Sequence, residues 1–365
     1  MSTLDRYLLR EITVPLLVGL GLFVVVLVFA QLLAISDAIT GLGISGPDLL
    51  RALAYSLPPL LGLLLPVSLL FATLLAIGRW SGDRELTALA AGGVSPYLLL
   101  RVPIAMALLL GAISAVSMGW GEAWGIRGLR NLMSKSAQSA LASGVRPGEF
   151  HEWLPGVTFL AEETIDGRMK GVVFADLRDP ERPLVVSARS GTVKVGERAR
   201  DIVFDLQDGS LVVRDSKNQS RRVVRFETSL YRLDVDRLVT NKGRSLSRVQ
   251  EKSLAELARD AREDPNPGRR AQYTVVMHRR FAIPMATLIF AVLAVPLAVG
   301  SSGAARARGF LVSAGLVGGY YYVGRVAELA ARAGNFDAVL AAWLPNLIGV
   351  AMAAVLLVRF RRTAR

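Results

Sequence analysis

The sequence predicts a membrane α-helical protein with six transmembrane helices and an inserted all-β, jelly-roll-like domain. Three observations lead there. Six apolar runs are each about long enough to cross a bilayer, and none contains Asp, Glu, Lys, Arg or His. The short connections between them carry arginine asymmetrically. The long insert between the third and fourth runs alternates apolar and polar residues with a period of two.

The runs lie near 12–35, 52–78, 102–121, 281–300, 309–324 and 338–358. The chain is 365 residues long and 52% hydrophobic, with a mean hydropathy of +0.41. A soluble protein of this length rarely has that balance, and six core helices of this kind in one soluble fold are a poor alternative. The first run, Ile12 to Ile35, is longer than a signal-peptide core, and no small-x-small cleavage site follows it closely. It reads as an anchor.

Orientation follows from the short loops. With the N-terminus in the cytoplasm, the inner pieces carry Arg6, Arg10, Arg79, Arg84, Arg306, Arg308, Arg359, Arg361, Arg362 and Arg365. The outer pieces carry Arg51, Arg325 and Arg332. This predicts both termini inside and the insert outside. The domains expected are 1–121 (spans 1–3 with a cytoplasmic helix at 82–95), 122–280 (the β-domain with flanking helices) and 281–365 (spans 4–6). The net charge of +13 suits anionic lipid rather than nucleic acid, because only 6 of the 43 basic residues are Lys.

The insert reads as about eight short strands. "GVTFLAEE", "GVVFADLR", "LVVSARSGTVKV", "DIVFDLQDGSLVVRD" and "RRVVRFETSLYRLDV" alternate apolar with charged residues. Asp166-Gly167 and Asp208-Gly209 are hairpin dipeptides. Its ends read as helical: 122–143 continues the third span, and "SLAE" at 253–256 is a capping box. "PNPG" at 265–268 then interrupts the chain. Val157, Phe159, Val172, Phe174, Val203 and Phe204 share the apolar faces, which form either a lipid route or a sealed core.

Several chemistries are excluded. There is no cysteine, no G-x-x-x-x-G-K-[ST] and no H-E-x-x-H. His151 and His278, the two histidines, read as surface or interface residues. Asn218-Gln219-Ser220 matches a sequon, a short and weak signal. No cofactor or metal is expected. Ion-coupled transporters place ionisable residues inside the membrane, and the six runs have none. Any transport must draw its energy from another chain.

"GDRELTALAAGGVSP" at 82–96 joins the second and third spans. Leu86, Leu89, Ala90 and Val94 share one helical face, and Asp83 and Glu85 fall in the first turn, where carboxylates favour the helix dipole. Gly92-Gly93 ends the helix and Pro96 prevents its continuation. By pattern alone it is either an interfacial connector or a helix that docks in a cytoplasmic ATPase, with Leu86 and Leu89 inserted and Glu85 paired to a basic residue.

The chain resembles the lipopolysaccharide-export permeases, the LptF/LptG family. The resemblance is carried by "LDRYLLREI" at 4–12, "LPVSLLFATLLAIGRWSGDRELTALAAGGVSP" at 65–96, "HRRFAIPMATLIFAVLAVPLAV" at 278–299 and "AAWLPNLIGV" at 341–350. "ASGVRPGEFHEWLPGVTFLAEE" at 142–163 is more similar to LptF than to LptG. The resemblance implies a non-catalytic permease subunit in the bacterial inner membrane, with a periplasmic β-jelly-roll. It implies a second, LptG-like permease, an LptB ATPase dimer, LptC and lipopolysaccharide as partners. Asp83, Arg84, Glu85, Leu86, Leu89 and Gly92 fall on the family's coupling helix. Arg325 and Arg332 are placed to meet lipopolysaccharide phosphates, or to anchor the interface with Arg325 paired to Glu328; Phe159 and Phe174 are placed to meet its acyl chains. The competing readings are a mechanotransmission protein acting on a periplasmic partner, which usually has four spans, and a lipid-modifying enzyme, for which no convergent acid, base or nucleophile stands out.

Overall fold

The structure, a computed structural model, describes residues 3–42, 45–142, 148, 151–154, 156–165, 168–177, 183–195, 201–215, 220–234, 249–299 and 305–363. The chain divides into two compact units. One comprises 1–28, 56–126 and 247–365; the other comprises 29–55 and 127–246. The stretch 247–280, expected with the β-domain, clusters with the helices.

The helical elements are α1 (Thr3–Leu42), α2 (Gly46–Gly82), α3 (Glu85–Ala91), a 3-10 turn (Pro96–Leu100), α4 (Arg101–Val116), a π-helical turn (Ser117–Gly121) and α5 (Glu122–Ala142). After the strands come α6 (Leu254–Glu263), α7 (Pro267–Ala298), α8 (Ala305–Arg332) and α9 (Ala338–Thr363). Among the described residues, five helical stretches are long and apolar enough to cross a membrane: 3–33, 46–82, 96–133, 267–298 and 338–360. The sixth expected run, 309–324, lies within α8, where Gly315, Gly318, Gly319 and Tyr320–Tyr322 dilute the apolar content.

In the helical unit, α7 packs against α4, α8 and α9. Its core joins Leu8, Ile12, Leu69, Leu70, Ile77, Trp80, Phe290 and Leu293. Outward side chains are also apolar: Leu17, Val18, Leu22 and Val25 on α1, and Leu347, Val350 and Val358 on α9, are exposed. Such a surface is expected where lipid, not water, is the solvent.

Prolines inside α2 free backbone carbonyls, which in hydrocarbon must find another donor. Pro66 cannot donate to the carbonyl of Gly62, four residues back. The Ser114 hydroxyl of α4 donates to that carbonyl at 2.7 Å. Glycine is needed at this crossing: a Cβ at Gly62 would stand 2.4 Å from Met118 Sδ, and one at Gly121 would stand 2.7 Å from Pro58 Cβ. The π-helical turn at 117–121 therefore sits at a close crossing with α2.

A second buried polar network joins α7, α8 and α9. Asn346 Nδ2 donates to the Ala282 carbonyl at 2.8 Å, and the Tyr320 hydroxyl donates to Asn346 Oδ1 at 3.0 Å. Interhelical hydrogen bonds of this kind hold membrane helices in register. At the other end of α7, Asn266 caps and Pro267 occupies the first turn, so "PNPG" starts the helix that carries the fourth span. The Ser253–Glu256 capping box of α6 is present as expected.

The second unit contains the sheet: β1 (His151–Leu154), β2 (Val157–Ile165), β3 (Arg168–Asp176), β4 (Leu184–Val195), β5 (Asp201–Asp215) and β6 (Ser220–Asp234). The described strands number six, where about eight were expected. They pair antiparallel in chain order, β1-β2-β3-β4-β5-β6. That is a meander among the described residues, whereas a jelly roll would interleave its strands. The Asp166-Gly167 and Asn218-Gln219 positions lie outside the described residues. The Asp208-Gly209 expectation needs correction: the dipeptide lies within β5 and pairs on both sides, with Gly209 opposite Ala188 and Phe226. The φ of +49° at Asp208 kinks the strand instead of reversing it. Gly209 is required because a Cβ would lie 2.4 Å from the Phe226 ring and 2.5 Å from the Ser187 carbonyl. Left-handed backbone suits a turn and a mid-strand kink equally, which is why the dipeptide misleads.

Candidate functional site

The segment 82–96 forms the short helix expected, with altered bounds and faces. α2 runs to Gly82. Arg84 takes a left-handed conformation, φ 60°, and Glu85 opens α3. Asp83 lies before the helix, 4.0 Å from Arg79, which also holds Glu11 at 2.8 Å. The helix ends in a Schellman arrangement: Val94 N donates to the Leu89 carbonyl and Gly93 N to the Ala90 carbonyl, both at 3.0 Å. The left-handed residue there is Gly93, φ +76°, whereas Gly92 has an ordinary φ of −78°. Gly93, not Gly92, is the position that needs glycine.

Leu86 and Leu89 pack on the bundle's own core. The exposed residues are Thr87, Ala88, Ala90 and Ala91. Of the face expected from the pattern, Leu86 and Leu89 pack on that core, whereas Ala90 is exposed and Val94 lies beyond the helix. Tyr7 of α1 stacks on the buried Trp80 of α2 with ring centroids 5.1 Å apart. Leu4, Tyr7, Trp80, Glu85, Ala88, Leu89, Gly92 and Val94 line an apolar pocket of about 360 Å³. Glu85 is its acidic group. Leu4, Tyr7 and Trp80 have no signal in the 82–96 stretch itself, because only the fold brings them to it.

Arg325 and Arg332 lie on α8 with Glu328 between them. Glu328 is buried. Arg332 Nη2 reaches Oε1 at 2.5 Å, and Arg325 Nη1 reaches Oε2 at 3.3 Å. Spacings of i,i+3 and i,i+4 put these groups on one helical face. Arg279 of α7 joins from outside that pattern, with Nη1 4.0 Å from Oε2. The Arg325–Glu328 pair read from the i,i+3 spacing is therefore present, and Arg332 converges on the same carboxylate.

Next to Arg279, Arg280 points the opposite way into the bundle. Its side chain has no exposed surface and its Nε donates to Glu122 Oε2 at 3.0 Å. Its two other nitrogens donate to the Lys252 carbonyl at 2.8 Å and the Gln250 carbonyl at 2.6 Å. One guanidinium fork thus holds α5, α7 and the 249–252 turn together, the geometry for which arginine is suited. Sequence reading missed this clamp; its available signal was two adjacent arginines at the mouth of an apolar run.

Phe159 and Phe174 face each other across β2 and β3, and each is 1% exposed. They cluster with Phe204 and Tyr231, with ring centroids 4.7 to 6.5 Å apart. Ala161, Met169, Val172, Val186, Ala188 and Leu206 complete a closed apolar face. The alternation described a filled face here.

The comparisons with known proteins agree along the chain. The family model described as lipopolysaccharide export system permease LptF/LptG matches residues 6–359. The lipopolysaccharide export system permease protein LptF of Escherichia coli K12 is 25% identical over 362 residues, covering 96% of this chain and 93% of that protein. LptF of Shigella flexneri matches to the same extent. An uncharacterised protein of Rickettsia prowazekii is 25% identical over 172 residues, 46% of each chain. With its long apolar helices, its antiparallel sheet and a family match from residue 6 to residue 359, this chain belongs to the LptF/LptG family of lipopolysaccharide export system permeases.

Proposed function

We propose that the chain is one of two permease subunits of an ATP-driven transporter that extracts lipopolysaccharide from the inner membrane and passes it toward the outer membrane. It is the LptF-like subunit. It pairs with an LptG-like permease, an LptB ATPase dimer drives the pair, and LptC receives the lipid. α8 is the sixth span. Both termini and α3 are cytoplasmic, and the β-domain is periplasmic. The chain supplies no catalysis; ATP is hydrolysed by its partner.

One observation carries the reading of α3. This helix packs the half-buried Leu86 and Leu89 against its own bundle and exposes a face of small residues, Thr87, Ala88, Ala90 and Ala91. A partner can approach such a face closely, while Glu85 offers a charge beside the apolar pocket. Packing of Leu86 and Leu89 on a core that includes Leu8 of α1 and Ile77 and Trp80 of α2 couples displacement of α3 to that core, because close-packed side chains shift together. Asp83 and Arg84 set the angle at which α3 leaves α2.

On the extracytoplasmic side, Arg325 and Arg332 meet phosphates, and the rings of Phe159 and Phe174 part to admit acyl chains. The test is affinity purification of the tagged chain in mild detergent, with mass spectrometry of its companions. An ATPase, a second permease and lipopolysaccharide are expected. Glu85→Arg turns an attraction into a repulsion at a contact and is expected to cut ATPase recovery about tenfold. Undiminished recovery with that variant would refute the coupling role.

A further inference from the structure

The Glu328 cluster has an unusual balance. Three guanidiniums, from Arg279, Arg325 and Arg332, converge on one carboxylate. Each guanidinium has five N–H donors, while a carboxylate has about four acceptor sites. Two positive charges are left uncompensated within the cluster. Arg332 Nε is buried with no hydrogen-bond partner. The carboxylate is sunk, its side chain 7% exposed, while those of Arg279, Arg325 and Arg332 are 31%, 60% and 34% exposed.

We propose that Glu328 is the resident counter-ion of a phosphate-binding site formed by Arg279, Arg325 and Arg332, and that an arriving phosphate takes over the guanidinium donors Glu328 now occupies. This inference rests on the reading that the chain handles a phosphorylated lipid. A phosphate dianion matches the residual charge of the cluster, and its oxygens fit paired guanidinium donors. Glu328 keeps the three side chains from repelling one another while the site is empty, so little reorganisation is needed on binding. The carboxylate also sets a threshold, since a weaker anion does not displace it. Arg279 lies on α7 and the other three groups on α8, so an anion bound among them bridges the two helices.

The test uses the full chain in detergent with its partners and three probes: bis-phosphorylated lipid A, the same lipid dephosphorylated, and inorganic pyrophosphate. Arg279→Gln is expected to weaken binding of the phosphorylated lipid about tenfold and leave the dephosphorylated lipid unaffected. Glu328→Gln removes the competing charge but keeps the shape; binding of the phosphorylated lipid is expected to tighten about fivefold, the effect of one unit charge at contact distance in water. Opposite signs for these variants separate the inference from a merely structural role, in which both would weaken binding or do nothing. If Glu328→Gln fails to fold, Arg279→Gln decides, because its 4.0 Å contact is the loosest of the set. Equal affinity for the two lipids, or a Glu328→Gln variant that binds more weakly, overturns the proposal. Pyrophosphate that binds with the same Arg279 dependence and displaces the lipid supports the site and makes a soluble diphosphate a competing source of ligand. Pyrophosphate that does neither ties the site to the lipid headgroup. An unchanged recovery of the ATPase and lipopolysaccharide with failed phosphate discrimination would sink this inference alone and leave the transporter reading standing.

Discussion

Replacing Arg280 with Met leaves Glu122 buried and charged with no partner. Both side chains are at most 4% exposed, so solvent cannot repair the loss. Breaking a buried pair from one side costs about 3–5 kcal/mol, and the carbonyls of Gln250 and Lys252 lose charged donors as well. Glu122→Leu strands the guanidinium with those two carbonyls and costs a similar amount. The double variant removes both charges, so most of the ionic penalty disappears. What remains is two carbonyls without donors, about 1–3 kcal/mol each. The double variant should therefore be more stable than the sum of the singles predicts by roughly 3 kcal/mol or more. Thermal unfolding in detergent, followed by the fluorescence of the five tryptophans, reads this directly. Each single variant should melt on the order of 10 °C lower, and trypsin should cut sooner near 249–252. Single variants within about 1 kcal/mol of the parent, or strictly additive losses, would show that the clamp does not hold these elements together.

Three other outcomes follow from local geometry. Gly93→Ala should destabilise the end of α3 by about 1–2 kcal/mol, because an L-residue is strained in the left-handed region, while Gly92→Ala should be close to neutral; equal ATPase recovery with both variants would count against this assignment of the cap. Gly209→Ala drives a methyl into the Phe226 ring and the Ser187 carbonyl and should cost about 1–3 kcal/mol, seen as increased proteolysis of the β-domain at unchanged temperature. Lys252 and Asp260 form a hydrogen-bonded ion pair beside Tyr273. The hydrogen bond from Lys252 holds the Asp260 carboxyl below its ordinary 3.8, against the opposing effect of burial. Burial alone would lower Lys252, but the bond and charge of Asp260 together with the contacts to Tyr273 outweigh it and raise the ammonium above 10.5. A depressed acid stabilises above its unfolded pKa, and the support is lost as pH falls through the folded value. A raised base stabilises below its unfolded pKa, and the support is lost as pH climbs through the folded one. The pair thus supports α6 from about pH 4 to pH 10. Hydrogen-exchange protection factors at α6, referred to the unfolded peptide at each pH, should be flat across that window and fall below it; Asp260→Asn should remove the acid-side change.

Much of the architecture was legible in residue order because it depends on local chemistry. Ser253 and Glu256 sit three apart, and the capping box forms. Alternation in 157–234 marks strands because a pleated strand sends neighbouring side chains to opposite faces. The helix at 85–91 follows from its apolar spacing and its glycines. The errors also have local causes. Asp208-Gly209 favours left-handed backbone, and residue order does not say whether that ends a strand or bends it. Leu86 and Leu89 form an apolar face, and residue order does not say whether the chain's own helices or a partner's groove will cover it.

The candidate site divides along the same line. Arg325, Glu328 and Arg332 could be grouped from helical spacing alone, because residues three and four apart share a face. Arg279 joins them from another helix, 49 positions from Glu328 in the numbering. Its neighbour Arg280 turns inward to Glu122, 158 positions away. By itself the sequence determined the apolar helices, the strand-rich insert, the family and the short helix between α2 and α4, all properties of residues close together in the chain. Only the tertiary structure decided which arginine lies beside Glu328 and which is buried as a clamp, and which side of α3 stays exposed. Adjacent residues on a helix point about 100° apart, and what each one meets depends on helices that the intervening sequence does not position.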